Sequence, residues 1–286
     1  MTRDEMYLAR LAGEAADKLP EPRTRREMYL ASLCGCYDGE LPEPRTREEM
    51  LMADMCAGGG AMDDSEAAQT IKGLVDGTIT TFTNRDITYI KDYTFSNAPL
   101  ISINVPNVTE VGTNVFAYCK SLVDVNMPKV TTVGAFMFSE CTSLKSIELK
   151  SVDKLVSSMF YGCTSLESVA VPNATAISGN NVFRNCSNLA ILDFPKLTKI
   201  PDYTFYGCTE LKVLILRANR LVSVTTRNVF NNTPLITGAG YVYVPFDYIE
   251  AYRADVNWAT HGVQFRALED YTVDGTIYGA LDESKI

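Results

Sequence analysis

The chain has 286 residues, of which 46% are apolar and 21% are charged, and this composition is typical of a folded protein with a substantial core. The net charge of −9, with no run of basic residues, argues against nucleic acid as a partner, because phosphate binding requires clustered lysine and arginine. The sequence contains neither a secretion signal nor a stretch of about 18 apolar residues that could span a membrane. These observations leave the localisation open.

Residues 1–57 contain three similar segments, TRDEMYLARLAG, TRREMYLASLCG and TREEMLMADMCA, separated by LPEP. In each segment a threonine precedes a glutamate by three positions, which fits a capping box and predicts three short helices. Helices of about ten residues are marginal alone in water, so this module must pack on something. Either it caps the rest of the chain, or it anchors the chain in a larger assembly. The segments resemble the N-terminal parts of phage and prophage structural proteins, which implies the second role.

Residues 58–70 form a predicted linker of small and acidic residues, and a second repeat occupies residues 71–245. Its unit reads F-x-x-C-x-x-L-x-x-[ILV]-x-[apolar], with a period of about 22 residues, which falls in the leucine-rich-repeat range. Such a unit cannot bury its apolar side alone, so the units must stack. The repeated phenylalanines are Phe95, Phe116, Phe138, Phe160, Phe183, Phe205 and Phe230.

Over residues 87–245 the repeat resembles the BspA-type leucine-rich repeat family. The resemblance implies a β-rich leucine-rich-repeat solenoid of about 22-residue coils with a parallel strand ladder, between a small α-helical N-terminal module and a C-terminal capping segment. Ala98 and Thr233 replace the repeated cysteine in the first and last coils, where atypical residues are expected.

The five repeated cysteines could be catalytic thiols, metal ligands or core residues. Cysteine is often fully buried and behaves as a small apolar side chain, so we predict a column of buried free thiols. Because His261 is the only histidine, the sequence excludes most catalytic sites that pair histidine with serine or cysteine, and most metal sites that use histidine. We therefore predict no catalytic, cofactor-binding or metal-binding residues, and no cofactor. The repeated cysteines are Cys119, Cys141, Cys163, Cys186 and Cys208.

Residues 246–286 are predicted to cap the last coil and to form the tail. A helix carrying Ile249, Tyr252 and Val256, followed by Trp258, would cover the exposed core of that coil. Further on, Asp274-Gly275 indicates a hairpin turn.

The strand positions that lie between the inward apolar residues form two outward columns. Both columns change from polar to apolar toward the C-terminus, where Ile191, Val213 and Ile215 would make an exposed patch. An exposed apolar patch usually marks a partner site, although the C-terminal tail could instead cover it. The candidate partner face comprises Asp124, Asn126, Glu148, Ile191, Asp193, Val213 and Ile215.

These patterns predict a non-enzymatic scaffold for protein binding or adhesion, whose partner is a protein or a cell-surface ligand. One alternative is a phage or prophage virion component that joins a larger assembly through residues 1–57. An alternative of another class is a thiol redox enzyme, which would need accessible, acidic cysteines.

Overall fold

The computed structural model of this chain describes residues 79–225, 228–273 and 276–277. The predicted N-terminal helices (1–57) and the linker (58–70) lie outside the described residues. The described chain is a parallel β-solenoid of about eight coils of ~22 residues, as the repeat predicts.

Each coil contributes one strand to a first ladder, whose outward side is called the strand face below. These strands are β1 (Thr81–Thr83), β3 (Ser102–Asn104), β5 (Asp124–Asn126), β7 (Ser146–Glu148), β9 (Ser168–Ala170), β11 (Ile191–Phe194), β13 (Val213–Leu216) and β15 (Tyr241–Val244), and β16 (Phe265–Ala267) extends the ladder. Two-residue strands form a second ladder: β2 (Tyr89–Ile90), β4 (Glu110–Val111), β6 (Thr132–Val133), β8 (Lys154–Leu155), β10 (Ala176–Ile177), β12 (Lys199–Ile200) and β14 (Ser223–Val224).

Pairing within both ladders is parallel and in register with the sequence repeat. In the first ladder the sheets have the orders β1-β3-β5, β7-β9 and β11-β13-β15-β16. Leu192 lies opposite Leu214, and Ile191 lies opposite Val213. Because side chains alternate across a strand, Leu192 and Leu214 are buried while Ile191 points outward.

The repeated phenylalanines form one stack of buried rings along the solenoid axis. Neighbouring ring centroids from Phe95 to Phe230 are 5.4 to 5.9 Å apart, and the ring planes differ by no more than 19°. Phe82 closes one end at 4.9 Å from Phe95, and Trp258 closes the other at 5.6 Å from Phe230. The stack therefore ends on aromatic side chains that do not belong to the column of repeated phenylalanines.

The backbone around each phenylalanine turns through two left-handed residues, one two positions before the ring and one two positions after it. We call this part of the coil the turn side. The FYGC motifs place Gly162 and Gly207 at the later position, where a residue without a Cβ adopts positive φ at little cost. The other left-handed residues at these positions are Tyr93, Asn97, Asn114, Tyr118, Phe136, Glu140, Ser158, Asn181, Asn185, Tyr203, Asn228 and Asn232.

The last coil is covered by a compact segment that contains two short helices, α1 (Ile249–Ala254) and α2 (Val256–Ala259). The Trp258 indole N–H donates to the carbonyl of Val222 at 2.7 Å, and the Tyr252 hydroxyl accepts the Val222 N–H at 2.9 Å. Burial raises the pKa of Tyr252 to about 12. Tyr252 and Trp258 thus bury their rings and satisfy backbone groups of the coil they cover.

The prediction that Val256 shares one apolar helix stripe with Ile249 and Tyr252 is wrong. Val256 is 74% exposed, because Asp255 separates two helices and Val256 is the first residue of the second. The Asp255 carboxylate caps α2 by accepting the N–H groups of Asn257 and Trp258.

After β16 the chain forms a 3₁₀ helix (Leu268–Asp270) and a hairpin of β17 (Thr272–Val273) and β18 (Thr276–Ile277). Val273 pairs with Thr276 in antiparallel orientation, which confirms the predicted hairpin around residues 274–275. Further 3₁₀ turns lie at Pro234–Ile236 and Phe246–Tyr248.

Candidate functional site

The cysteine column lies inside the solenoid. All five thiols are buried and free, which confirms the prediction for Cys119, Cys141, Cys163, Cys186 and Cys208. Each thiol donates a hydrogen bond to the carbonyl of the phenylalanine in the preceding coil, at Sγ to O distances of 2.9 to 3.0 Å. That carbonyl also accepts the backbone N–H of the residue three positions later in its own coil, as Phe138 does from Cys141 at 3.1 Å. The cysteines therefore link successive coils.

These thiols lack the properties of a reactive centre. Burial raises the pKa of Cys163 far above its usual value and that of Cys208 to about 12, and it also raises the pKa of Cys141 and Cys186. Only the thiolate is nucleophilic, so these four thiols are poorly suited to act as nucleophiles at neutral pH. Across the described ranges, no three histidine, cysteine, aspartate or glutamate side chains are placed to hold a metal ion. Cys34, Cys36 and Cys56 lie outside those ranges.

The middle of the strand face is polar and solvent-exposed, as the sequence predicts. Asp124, Asn126 and Glu148 are all exposed. The Asn126 amide donates to the Asn104 side-chain oxygen at 2.7 Å, and Glu148 pairs with Lys150 at 3.2 Å. Exposed pairs of this kind contribute little to stability, so these groups remain available to a partner.

The strand face becomes apolar at its C-terminal end. Ile191 is 45% exposed, and its neighbour Val213 is partly exposed. Beside them Arg217 forms a two-pronged ion pair with Asp193 of the preceding coil, at nitrogen to oxygen distances of 2.7 to 3.0 Å. The Arg217 side chain is 12% exposed and that of Asp193 is 38% exposed. This ion pair therefore keeps two charged side chains in a fixed geometry next to Ile191 and Val213.

The prediction that Ile215 belongs to the exposed patch is wrong. Ile215 is only 2% exposed and packs in a cluster with Tyr243, Leu268 and Tyr271. The chain that follows β16 folds back over this part of the strand face, so residues from the C-terminal segment cover Ile215. Ile191 remains outside that cluster.

Two residues at this end were missed in the sequence. Tyr241 lies opposite Val213 and continues the outward column, and the Arg266 guanidinium carbon lies 3.5 Å from the centre of its ring. A shallow depression opens here, lined by Tyr241, Arg253, Val263, Gln264, Phe265 and Arg266. The alternation in YVYV at 241–244 carried the signal for Tyr241. Below, the C-terminal patch means Ile191, Val213, Tyr241 and Arg266, with Asp193 and Arg217 at its rim.

The stacked coils and the parallel ladder define a leucine-rich repeat protein. The sequence profile described as the BspA type leucine rich repeat region matches in six copies, over residues 88–212 and 131–239. Together these matches span just over half of the 286 residues, and the chain belongs to this family.

Several bacterial proteins of known structure are similar to this chain. A leucine-rich repeat protein from Bacteroides ovatus is 22% identical with a TM-score of 0.49, over 67% of this chain and 54% of its own. One from Eubacterium ventriosum is 23% identical with a TM-score of 0.47, over 54% of this chain and 43% of its own. This chain thus spans about half the length of either relative. No curated protein matches it. Among the described residues, no helix has the length and apolar character needed to cross a bilayer.

Proposed function

We propose that this protein is a non-enzymatic protein-binding scaffold that contacts its partner through the C-terminal patch. The observation that supports the proposal most directly is the outward column of Ile191, Val213 and Tyr241 on three adjacent strands. Leucine-rich repeat proteins are generally protein-binding or surface scaffolds, and the proposal assigns this general role to the patch.

The composition of the patch resembles that of a protein interface. Interface cores are rich in tyrosine, arginine and apolar side chains, with charged groups at the rim. Here Tyr241 and Arg266 stack on each other, while the Asp193–Arg217 fork lies beside Ile191 and Val213. A stacked arginine and a two-pronged ion pair have already lost much of their side-chain freedom, so binding costs less entropy than ordering free side chains would.

The more specific roles extend this proposal. Adhesion would follow if the partner is a cell-surface protein. Attachment to a phage or prophage assembly would use residues 1–57, and this role stays a prediction from the sequence. The redox alternative gains no support from the described cysteines, because all five are buried.

Replacing Ile191 with aspartate is expected to abolish partner capture without unfolding the chain. Ile191 is half-exposed, so a charge there is tolerated by the fold but is placed at the exposed end of the apolar column, directly beside Val213. The measurement is quantitative capture of proteins from bacterial surface extracts by the immobilised full chain. We expect the variant to capture at least about tenfold less of the proteins that the wild type binds.

Ser146→Asp is the matched control, because Ser146 is exposed in the same outward column two coils earlier. This variant should capture the same proteins as the wild type. Unchanged capture by the Ile191 variant, or an equal loss in the control, would remove the C-terminal patch as the binding site.

A further inference from the structure

An arginine surrounded by three tyrosine rings lies on the turn side, away from the strand face. Tyr161, Arg184 and Tyr206 each directly follow a stacked phenylalanine in three consecutive coils. The Arg184 guanidinium carbon lies 4.8 Å from the ring centre of Tyr206, 5.3 Å from that of Tyr203 and 6.0 Å from that of Tyr161. Below, these four residues are the Arg184 cluster.

The Arg184 guanidinium is underused as a hydrogen-bond donor. Its Nη1 donates to the Asn181 side-chain oxygen at 3.2 Å, whereas its Nε is buried without an acceptor. Within the described part of the chain, no carboxylate lies within ion-pair distance of Arg184, although the protein has 35 acidic and 26 basic residues. Arg217, by contrast, donates to the Asp193 carboxylate through both Nε and Nη2. The stacked tyrosines hold Arg184 in place and leave donors on its guanidinium without acceptors.

Two asparagine side chains extend the cluster beside Tyr203. The Asn228 amide donates to the Tyr203 hydroxyl at 3.3 Å and its oxygen accepts from Asn231 at 2.7 Å. Tyr161, Tyr203 and Tyr206 are all partly exposed. The cluster therefore offers solvent one cation, flat aromatic surfaces, phenolic hydroxyls and side-chain amides within a small area.

We propose that the Arg184 cluster binds an acidic sugar, meaning a saccharide unit that carries a carboxylate. The guanidinium would hold the carboxylate, because arginine pairs with carboxylates through parallel hydrogen bonds. The polarised C–H groups of a sugar ring favour the electron-rich face of a tyrosine. Amide and phenol groups supply the donors and acceptors that sugar hydroxyls require. An acidic peptide side chain would use the cation alone and leave the rings and amides without a role.

Titration of the isotope-labelled full chain with glucuronate, glucose and acetate tests this proposal. Arginine Nε–H and tyrosine ring signals are followed by NMR. We expect glucuronate to shift the signals of Arg184 and the three tyrosines with a dissociation constant on the order of 1 mM. Glucose lacks the carboxylate and acetate lacks the sugar ring. Each should therefore bind at least about tenfold more weakly than glucuronate.

Two variants locate the site. Arg184→Gln should lose the glucuronate response, while Arg253→Gln, which removes an exposed arginine on α1, should retain it. If Arg184→Gln is unstable, Arg184→Lys keeps the charge but lacks the planar fork and should weaken binding about tenfold. The proposal is overturned if glucuronate shifts no signal of the cluster, if acetate binds equally well, or if an aspartate-rich peptide binds more tightly than glucuronate.

Discussion

Replacing Phe160 with alanine is expected to lower the free energy of unfolding by about 3 to 5 kcal/mol. Phe160 is fully buried in the middle of the ring stack, with centroids 5.7 Å from Phe138 and 5.4 Å from Phe183. Alanine would leave a cavity between neighbouring coils. This cavity cannot close, because the two strand ladders fix the spacing of the coils. Chemical denaturation of the full chain measures the loss.

Phe136→Ala is the matched control for this effect. Phe136 is 41% exposed on the turn side, so its loss should cost no more than about 0.5 kcal/mol. Equal stability of the two variants would show that the stacked register of the phenylalanines is wrong.

Replacing Ile215 with asparagine is expected to cost about 3 to 5 kcal/mol of stability, since it removes a buried apolar side chain and leaves an amide without partners. Ile215 packs under Leu268 and Tyr271 on the strand face. Thermal and chemical unfolding of the variant measure the loss.

Ile191→Asn makes the same chemical change at an exposed position of the strand face, one coil earlier, and should be nearly neutral. If the Ile215 variant is as stable as this control, the C-terminal segment does not cover the strand face. Ile215 would then be part of an exposed apolar surface, as the sequence predicts.

The coil interior could be predicted from the sequence because the same residue types recur at the same offset. One residue per coil at a fixed position must form a column when coils stack, so the phenylalanine and cysteine columns follow from the spacing. The hydrogen bond from each thiol to the preceding phenylalanine carbonyl depends on the path of the backbone, which the spacing does not specify.

The errors and omissions lie where side chains depend on segments outside the repeat. Ile215 points outward like an exposed residue of the strand face, but Leu268 and Tyr271 fold back over it and bury it together with Tyr243. Val256 fits a helical period, but Asp255 caps a new helix immediately before it.

The Arg184 cluster could have been found from the sequence, because Tyr161, Arg184 and Tyr206 share one repeat position. The left-handed positions on the turn side could not be found in this way, because residues as different as Tyr118, Glu140 and Gly162 occupy them.

Thiol labelling most directly tests the central claim that the repeated cysteines are structural and that function lies on the surface. The folded full chain is treated with a charged maleimide near neutral pH, and labelled peptides are identified by mass before and after unfolding in denaturant. We expect Cys119, Cys141, Cys163, Cys186 and Cys208 to remain unlabelled in the folded chain and to react once it is unfolded. Rapid labelling of any of these five in the folded state would contradict the claim and would restore thiol chemistry as a candidate function.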